Sequence, residues 1–402
     1  MTRPSRSLPG RRRLRALTTP LQDGFGSSPE YTVGVEEELM LLDPVTLALV
    51  PRADDVVRAA ADPHRVKQEI RQSMVEIASS PAVTTDDLHR ELRALRRTVA
   101  EVGARNDCLL AAAGTHPFSI AELQELTDKP RYRYVAGVSG WVGRRSTAVC
   151  GTHVHVAVGS ADKALGVMEA LLPDLPVIAA LAASSPLWEG QDTGFASARL
   201  AVRAELPRSG LPPTFRSHAH YRETLDQLRR SGLVPDASYL WWDVRLQERL
   251  GTIEVRLLDA QPSVRDTAAL AGLVQSLVRH LGSRWDHGER VAAERMIVGE
   301  NRWQGVRHGM SATFVGSRGR PVAARAELDS LLSRVAEDAA AVGATWVLHH
   351  LSDLADRGGP ATAIRDRFVV TDDPLEVTRH LIDTGADSVR GTPALPDPVP
   401  AG

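Results

Sequence analysis

Three short segments of this chain alternate an apolar face with a charged one at a period of two residues, and that period makes them β-strands with one side in a core. In Tyr31-Thr-Val-Gly-Val-Glu-Glu-Glu-Leu-Met-Leu, the residues Tyr31, Val33, Val35, Leu39 and Leu41 point one way, while Glu36 and Glu38 point the other. In Gly151-Thr-His-Val-His-Val-Ala-Val, the apolar face is Val154, Val156 and Val158, and His153 and His155 share the opposite one. In Gly251-Thr-Ile-Glu-Val-Arg-Leu-Leu-Asp, Ile253, Val255 and Leu257 face in, whereas Thr252, Glu254 and Arg256 face away. A fourth segment, Ser73-Met-Val-Glu-Ile-Ala-Ser, sets Glu76 opposite Val75 and Ile77; because Glu69 and Glu76 are also one heptad apart, a helix is the alternative there.

Helices are placed by their 3.6-residue period. Thr84-Thr-Asp-Asp reads as an N-cap with an acidic first turn, followed by Leu88, Leu92, Leu95, Val99 and Val102. Further helices are expected at 161–183, 266–282, 323–341 and 374–384. Residues 1–28, rich in Arg, Ser, Pro and Gly, read as a disordered arm, and the Pro-rich stretch 387–402 as a disordered tail. No linker divides the stretch between them, so 29–386 is expected to be a single catalytic domain.

The overall charge of −2 excludes a general polyanion binder, and the basic residues are almost all arginine: only Lys67, Lys129 and Lys163 are lysines. Two cysteines, Cys108 and Cys150, build neither a disulfide framework nor a four-cysteine zinc site, which fits a reducing cytoplasm. No apolar run reaches the roughly 20 residues of a membrane-spanning helix, and the Arg-rich start lacks the apolar stretch of a signal peptide. The expected localisation is cytoplasmic.

If the charged strands lie side by side, one sheet surface carries Glu36, Glu38, Glu76 and Glu254 beside His153, His155 and Arg256. Carboxylates gathered so closely raise one another's pKa unless a cation sits among them. Hard oxygen donors with one or two imidazoles suit Mg²⁺ or Mn²⁺ better than zinc, and such a metal with nearby arginines can hold polyphosphate. Each piece also has a plainer reading. A His-x-His pair can simply face solvent, an E-E-E run can be a solvated edge, and Glu254 and Arg256 can be a cross-strand ion pair. Neither a G-x-x-x-x-G-K-[ST] loop nor a G-x-G-x-x-G turn is present, so any ATP is held by metals and arginines. Four of the seven tryptophans fall in Arg-containing segments, around Trp188, Trp241-Trp242 and Trp303, and Arg131-Tyr-Arg-Tyr is a further aromatic and arginine segment. Trp–Arg stacking is the structural alternative for each.

Taken together, the stretches GVEEELMLLDPVT, KQEIRQSMVEIASS, AAAGTHPFS, CGTHVHVAV, LAASSPLWEGQDTGFASAR, WWDVRLQERLGTIEVRLLD and ENRWQGVRHG resemble the type 2 glutamate-cysteine ligases, or carboxylate-amine ligase family. The resemblance implies an α+β, glutamine-synthetase-like fold, with a curved antiparallel sheet and helices packed on its outer face. It implies ATP-dependent joining of the glutamate γ-carboxylate to the amine of cysteine or another acceptor, with Mg²⁺ or Mn²⁺. By carry-over, Glu36, Glu38, Glu76, Glu254 and His153 are metal ligands, and Arg256 and His153 are catalytic. Arg199, Arg245, Trp242 and Asp243 bind substrate, and Arg256, Arg302 and Arg307 contact ATP phosphates. The implied partners are small molecules, with neither nucleic acid nor membrane, and a homo-oligomer is open. Leu246-Gln-Glu-Arg-Leu departs from the Pro and Ser usual after W-W-D-V-R, and Met40 stands where an aromatic residue is commoner. The competing readings are a catalytically idle metal- or nucleotide-binding homologue and a metal-dependent phosphohydrolase on the same floor.

Overall fold

The four alternating segments all become strands and lie next to one another. The protein is described from a computed structural model covering residues 23–390. Its main sheet has seven strands: β1 (Val33–Leu42), β2 (Val66–Gln68), β3 (Met74–Ala78), β4 (Leu109–Ala111), β5 (Gly151–Ala157), β6 (Val244–Gln247) and β7 (Thr252–Asp259). The order is β6-β7-β5-β1-β3-β2, with β4 paired to the end of β1, and every pairing is antiparallel. The helical alternative for the segment around Glu76 is thereby removed.

The sheet is two-faced, as its alternation requires. Val33, Val35, Leu39 and Leu41 are buried against the helices Thr85–Arg105 and Val264–Asp286. The middle residue of the Glu36-Glu37-Glu38 run also points to that side. Glu37 is fully buried, and Arg96 Nε donates to its Oε2 at 2.8 Å while Thr267 Oγ1 donates to its Oε1 at 2.7 Å. The same guanidinium donates to the carbonyls of Pro262 and Gln261, so the pair is hydrogen-bonded throughout. One apolar cluster runs through strands and helices from Val33 to Leu381.

Helix boundaries follow local chemistry. Thr84 Oγ1 accepts from Asp87 N at 3.2 Å, so helix Thr85–Arg105 starts at its cap. The helix expected over 161–183 is instead two, Ala161–Leu171 and Leu175–Ala182, bent by 68°. Pro173 lies in the break, where it has no N–H to continue the ladder. The segment 323–341 divides at Val335 into Ala324–Arg334 and Ala336–Ala341. The helix expected at 266–282 spans Val264–Asp286. The last helix runs Pro374–Arg390, so residues 387–390, expected in the tail, are helical.

Residues 1–22 and 391–402 lie outside the described residues. Residues 23–28 of the expected arm are tied to the body: Gly24 N donates to Glu248 O at 2.8 Å and Gly26 N to Val158 O at 3.2 Å. A Cβ on Gly251, whose φ is +65°, would come within 2.1 Å of Gly24 O, so this crossing requires glycine. Among the described residues, no single helix is long and apolar enough to cross a membrane.

Candidate active site

Strand register assembles the charged face. Glu36 lies opposite His153 across β1 and β5, His155 opposite Glu254 across β5 and β7, and Glu38 opposite Glu76 across β1 and β3. Above this floor opens a cleft of about 260 Å³, whose lining includes Glu36, Glu38, Glu76, His153, Arg245 and Arg256. Its walls bring in Glu69, Arg131, Tyr132, Arg203 and Trp241. The helix Pro130–Val138 closes one side: Arg131 donates to Ser238 O at 3.3 Å and stacks over the Tyr239 ring at 4.8 Å. Tyr134 OH donates to Leu233 O at 3.2 Å across the same junction.

Strand β7 carries a bulge between Val255 and Leu258, where one extra residue intervenes against β5. Leu257 and Leu258 are consequently both buried while Arg256 stays at the cleft, its backbone N donating to Asp243 O at 2.7 Å. Glu254 is the most enclosed carboxylate of the floor, with no exposure. Arg245 Nε donates to its Oε2 at 2.5 Å and Nη2 to its Oε1 at 3.1 Å, and Arg256 Nη1 binds Oε1 from the other side. Burial opposes its charge, but Arg245 and Arg256 outweigh that and hold Glu254 far below the usual carboxylate range.

The imidazoles differ. Burial, reinforced by Arg256, pushes His153 down to about 4, so it is neutral at pH 7. His155 is equally enclosed, yet Glu254 and Glu36 more than offset its burial and raise its pKa above 6.5. Glu36 Oε2 lies 3.5 Å from His153 Nδ1 and 3.7 Å from His155 Nε2. Against the cost of burial, these two rings hold Glu36 well below its ordinary 4.5.

On the β3 side the balance reverses. Burial and then repulsion from Glu36 raise Glu76 to about 7, although Lys67 Nζ lies 3.1 Å away. Burial with repulsion from Glu38 and Glu76 raises Glu69 to about 8. Carboxylates raised by burial and by one another in this way would be eased by a cation placed among them. Glu36, His155 and Glu254 offer ligand atoms within 4.8 Å of one another, and His155 Nε2 is buried without a hydrogen bond while its Nδ1 meets Thr252 Oγ1 at 3.1 Å. A hard divalent cation fits this donor set, which is carboxylate oxygen with an oriented imidazole. Because Glu254 is already engaged by two guanidinium groups, Glu36, Glu38 and Glu76 have the freer oxygens.

Several residues that the resemblance assigned to substrate or phosphate lie elsewhere. Arg199 is buried against the start of β5, 3.5 Å from Asp259 Oδ1, and donates to the carbonyls of Leu257 and Arg256. A Cβ on Gly151 would meet its Nη2 at 2.0 Å, so the guanidinium fills the space over that glycine, on the same strand face as His153. Trp242 packs in the core against Phe215 at 5.8 Å. Asp243 and Arg302 are bound to each other, with Nη2 to Oδ1 at 3.0 Å, and Arg307 lies over the Phe195 ring at 5.2 Å. None of these five is among the residues that line the cleft. Conversely, Glu69, Tyr132 and Arg203 do line it. The heptad spacing of Glu69 to Glu76 pointed to a helix that does not form, and Arg203, on a short helix beside Arg199, had no signal.

The fold has solved counterparts. The Francisella tularensis glutamate–cysteine ligase in complex with AMP aligns with a TM-score of 0.64 at 13% identity, covering 90% of each chain. A bifunctional glutathione synthetase from Pasteurella multocida aligns with a TM-score of 0.63 at 15% identity, over 88% of this chain and 52% of that one. In sequence, the Rubrobacter xylanophilus protein named "Putative glutamate--cysteine ligase 2-3" is 40% identical over 340 residues, 83% of this chain and 92% of that protein. A Bradyrhizobium diazoefficiens relative, named "Putative glutamate--cysteine ligase 2", is 36% identical over 84% of this chain and 80% of its own. The profile of glutamate-cysteine ligase family 2 matches residues 32–380, and the chain belongs to that family.

Proposed function

We propose that the acidic cleft is the active site of an ATP-dependent carboxylate–amine ligase, with glutamate as donor and cysteine as the first acceptor to test. The observation that carries this reading is the register that sets Glu36 opposite His153, Glu254 opposite His155 and Glu38 opposite Glu76 on one sheet face. In this reading a carboxylate oxygen of the donor attacks the γ-phosphorus of ATP and ADP leaves. The amine then attacks the acyl carbon, phosphate leaves with that oxygen, and the ammonium proton passes to solvent. Such phosphoryl transfer demands in-line placement and charge neutralisation rather than a nucleophilic side chain.

Glu36, Glu38, Glu76 and His155 would hold Mg²⁺ or Mn²⁺, which supplies Lewis-acid neutralisation of the phosphate oxygens. Arg256 faces the transferring phosphoryl group, and Glu254 with Arg245 fixes its fork in place. Neutral His153 can donate or accept a hydrogen bond beside it without adding charge. The glutamine-synthetase-like curvature of the floor and the single catalytic domain over 29–386 belong to the same proposal; the open antiparallel sheet with helices behind one face supports them.

The test is ADP release with Mg²⁺ over a grid of carboxylates and amines. Release that needs both co-substrates is expected. Release with water alone would instead assign a phosphohydrolase, and none with any pair would assign an idle homologue.

A further inference from the structure

Among the described residues, four arginines line the cleft, and three of them have partners. Arg245 and Arg256 share Glu254, and Arg131 is held by Ser238. Arg203 has neither an ion pair nor a side-chain hydrogen bond to any other described residue. It ends the helix Ala198–Arg203, four residues after Arg199 and therefore on the same helix face. Arg199 fills the space over Gly151 at the start of β5 and finds Asp259, whereas Arg203 emerges half-buried into the cleft. Burial and the charges of Arg199 and Arg256 push its pKa down to about 9, so it remains a cation at pH 7. The acidic groups that face it are Glu38 and Asp243. Asp243 is taken in a two-point pair by Arg302, and Glu38 accepts from Gly151 N at 2.6 Å.

A guanidinium taken partly out of water, with no direct ion pair to another described residue and at the wall of an otherwise acidic cleft, is built to meet an anion brought by a ligand. Its planar fork matches a carboxylate in a two-point geometry. We propose that Arg203 receives a substrate carboxylate that does not react, and so selects amino-acid substrates over simple amines or monocarboxylates. The inference rests on the reading of the cleft as the active site. It moves the carboxylate-binding role from Arg199, which is committed to Asp259, to a residue one helical turn further on.

The experiment is calorimetric binding to wild type, Arg203→Gln and Arg203→Lys, in Mg²⁺ and with or without ADP. The probes are glutamate and 4-aminobutanoate, which lacks the α-carboxylate, and cysteine and cysteamine, which differ in the same way. For Arg203→Gln the Kd of glutamate or of cysteine is expected to rise about 10- to 100-fold, the scale of one charged hydrogen bond, with Lys intermediate. The Kd values of 4-aminobutanoate and cysteamine should stay unchanged, as should the thermal midpoint. Equal weakening of each analogue with its parent, or a change confined to ADP, would overturn the carboxylate assignment. Wild type that binds neither amino acid would overturn it as well. Binding that follows the expected pattern without turnover would remove the ligase reading and leave Arg203's role standing.

Discussion

Two carboxylates on the same sheet face are expected to affect stability in opposite directions. Glu254 is fully buried, and two guanidinium groups donate to it, so Glu254→Gln leaves Arg245 and Arg256 facing each other across an amide. Breaking a buried pair by removing one partner costs about 3–5 kcal/mol; the amide oxygen still accepts one bond, which places this variant near the lower end, at about 3 kcal/mol. Glu76 is the reverse case. Its folded pKa of about 7 exceeds the ordinary 4.5, so the folded state holds that proton more tightly than the unfolded chain does. Stability is therefore lost as pH rises from 4.5 through 7, and at pH 8 the charge costs up to about 3 kcal/mol. Glu76→Gln should restore much of that in metal-free protein at pH 8 and have little effect at pH 5. Urea unfolding in EDTA at the two pH values measures both. A Glu254→Gln protein as stable as wild type, or a Glu76→Gln protein destabilised at pH 8, would refute the charge balance derived for the floor.

Arg256→Lys keeps the charge but loses the fork, so turnover should fall about 100-fold with little change in the amine KM, as steady-state kinetics would register; near-wild-type turnover would remove Arg256 from the phosphoryl site. His116 is buried with a neutral ring, its Nε2 bonded to Leu47 O at 3.0 Å and its Nδ1 accepting from Ser119 N at 2.9 Å. Burial holds its pKa at about 4, below the 6.5 of the unfolded chain. Its contribution is complete above 6.5 and declines as pH falls toward 4, by up to about 3 kcal/mol. His116→Gln should flatten that part of the stability profile in acid titrations followed by circular dichroism. Gly151→Ala would force a methyl group against Arg199 and should lower the melting temperature; an unchanged melt would show that the guanidinium can move aside.

How much of this was legible in the sequence depended on how local the signal was. A period of two residues names the face of a strand, so Glu36, Glu38, His153, Glu254 and Arg256 were placed on the polar side before any pairing was known. Register supplied what periodicity cannot, namely which of them sit opposite each other. The same alternation puts Glu37 on the core face, but a buried carboxylate is legible only once its partner is known, and Arg96 lies far along the chain on a helix. Motif carry-over names an arginine but not its environment, which is what decides its use. Arg199, Arg302 and Arg307 stand in the resembling stretches, yet Asp259, Asp243 and Phe195 occupy them. Arg203 was invisible because nothing in Ala-Arg-Leu-Ala-Val-Arg distinguishes a cleft-facing guanidinium from a surface one.

The central claim is that a donor carboxylate is activated by phosphorylation on this floor, and isotope transfer tests it most directly. With glutamate labelled by ¹⁸O in its γ-carboxylate, unlabelled ATP, Mg²⁺ and an acceptor amine, released phosphate is examined by mass spectrometry. The account requires one ¹⁸O atom in each phosphate formed with amide product, because the oxygen that attacked phosphorus leaves with it. Unlabelled phosphate would mean that water had attacked the nucleotide, and the cleft would then be a hydrolase site instead of a ligase site.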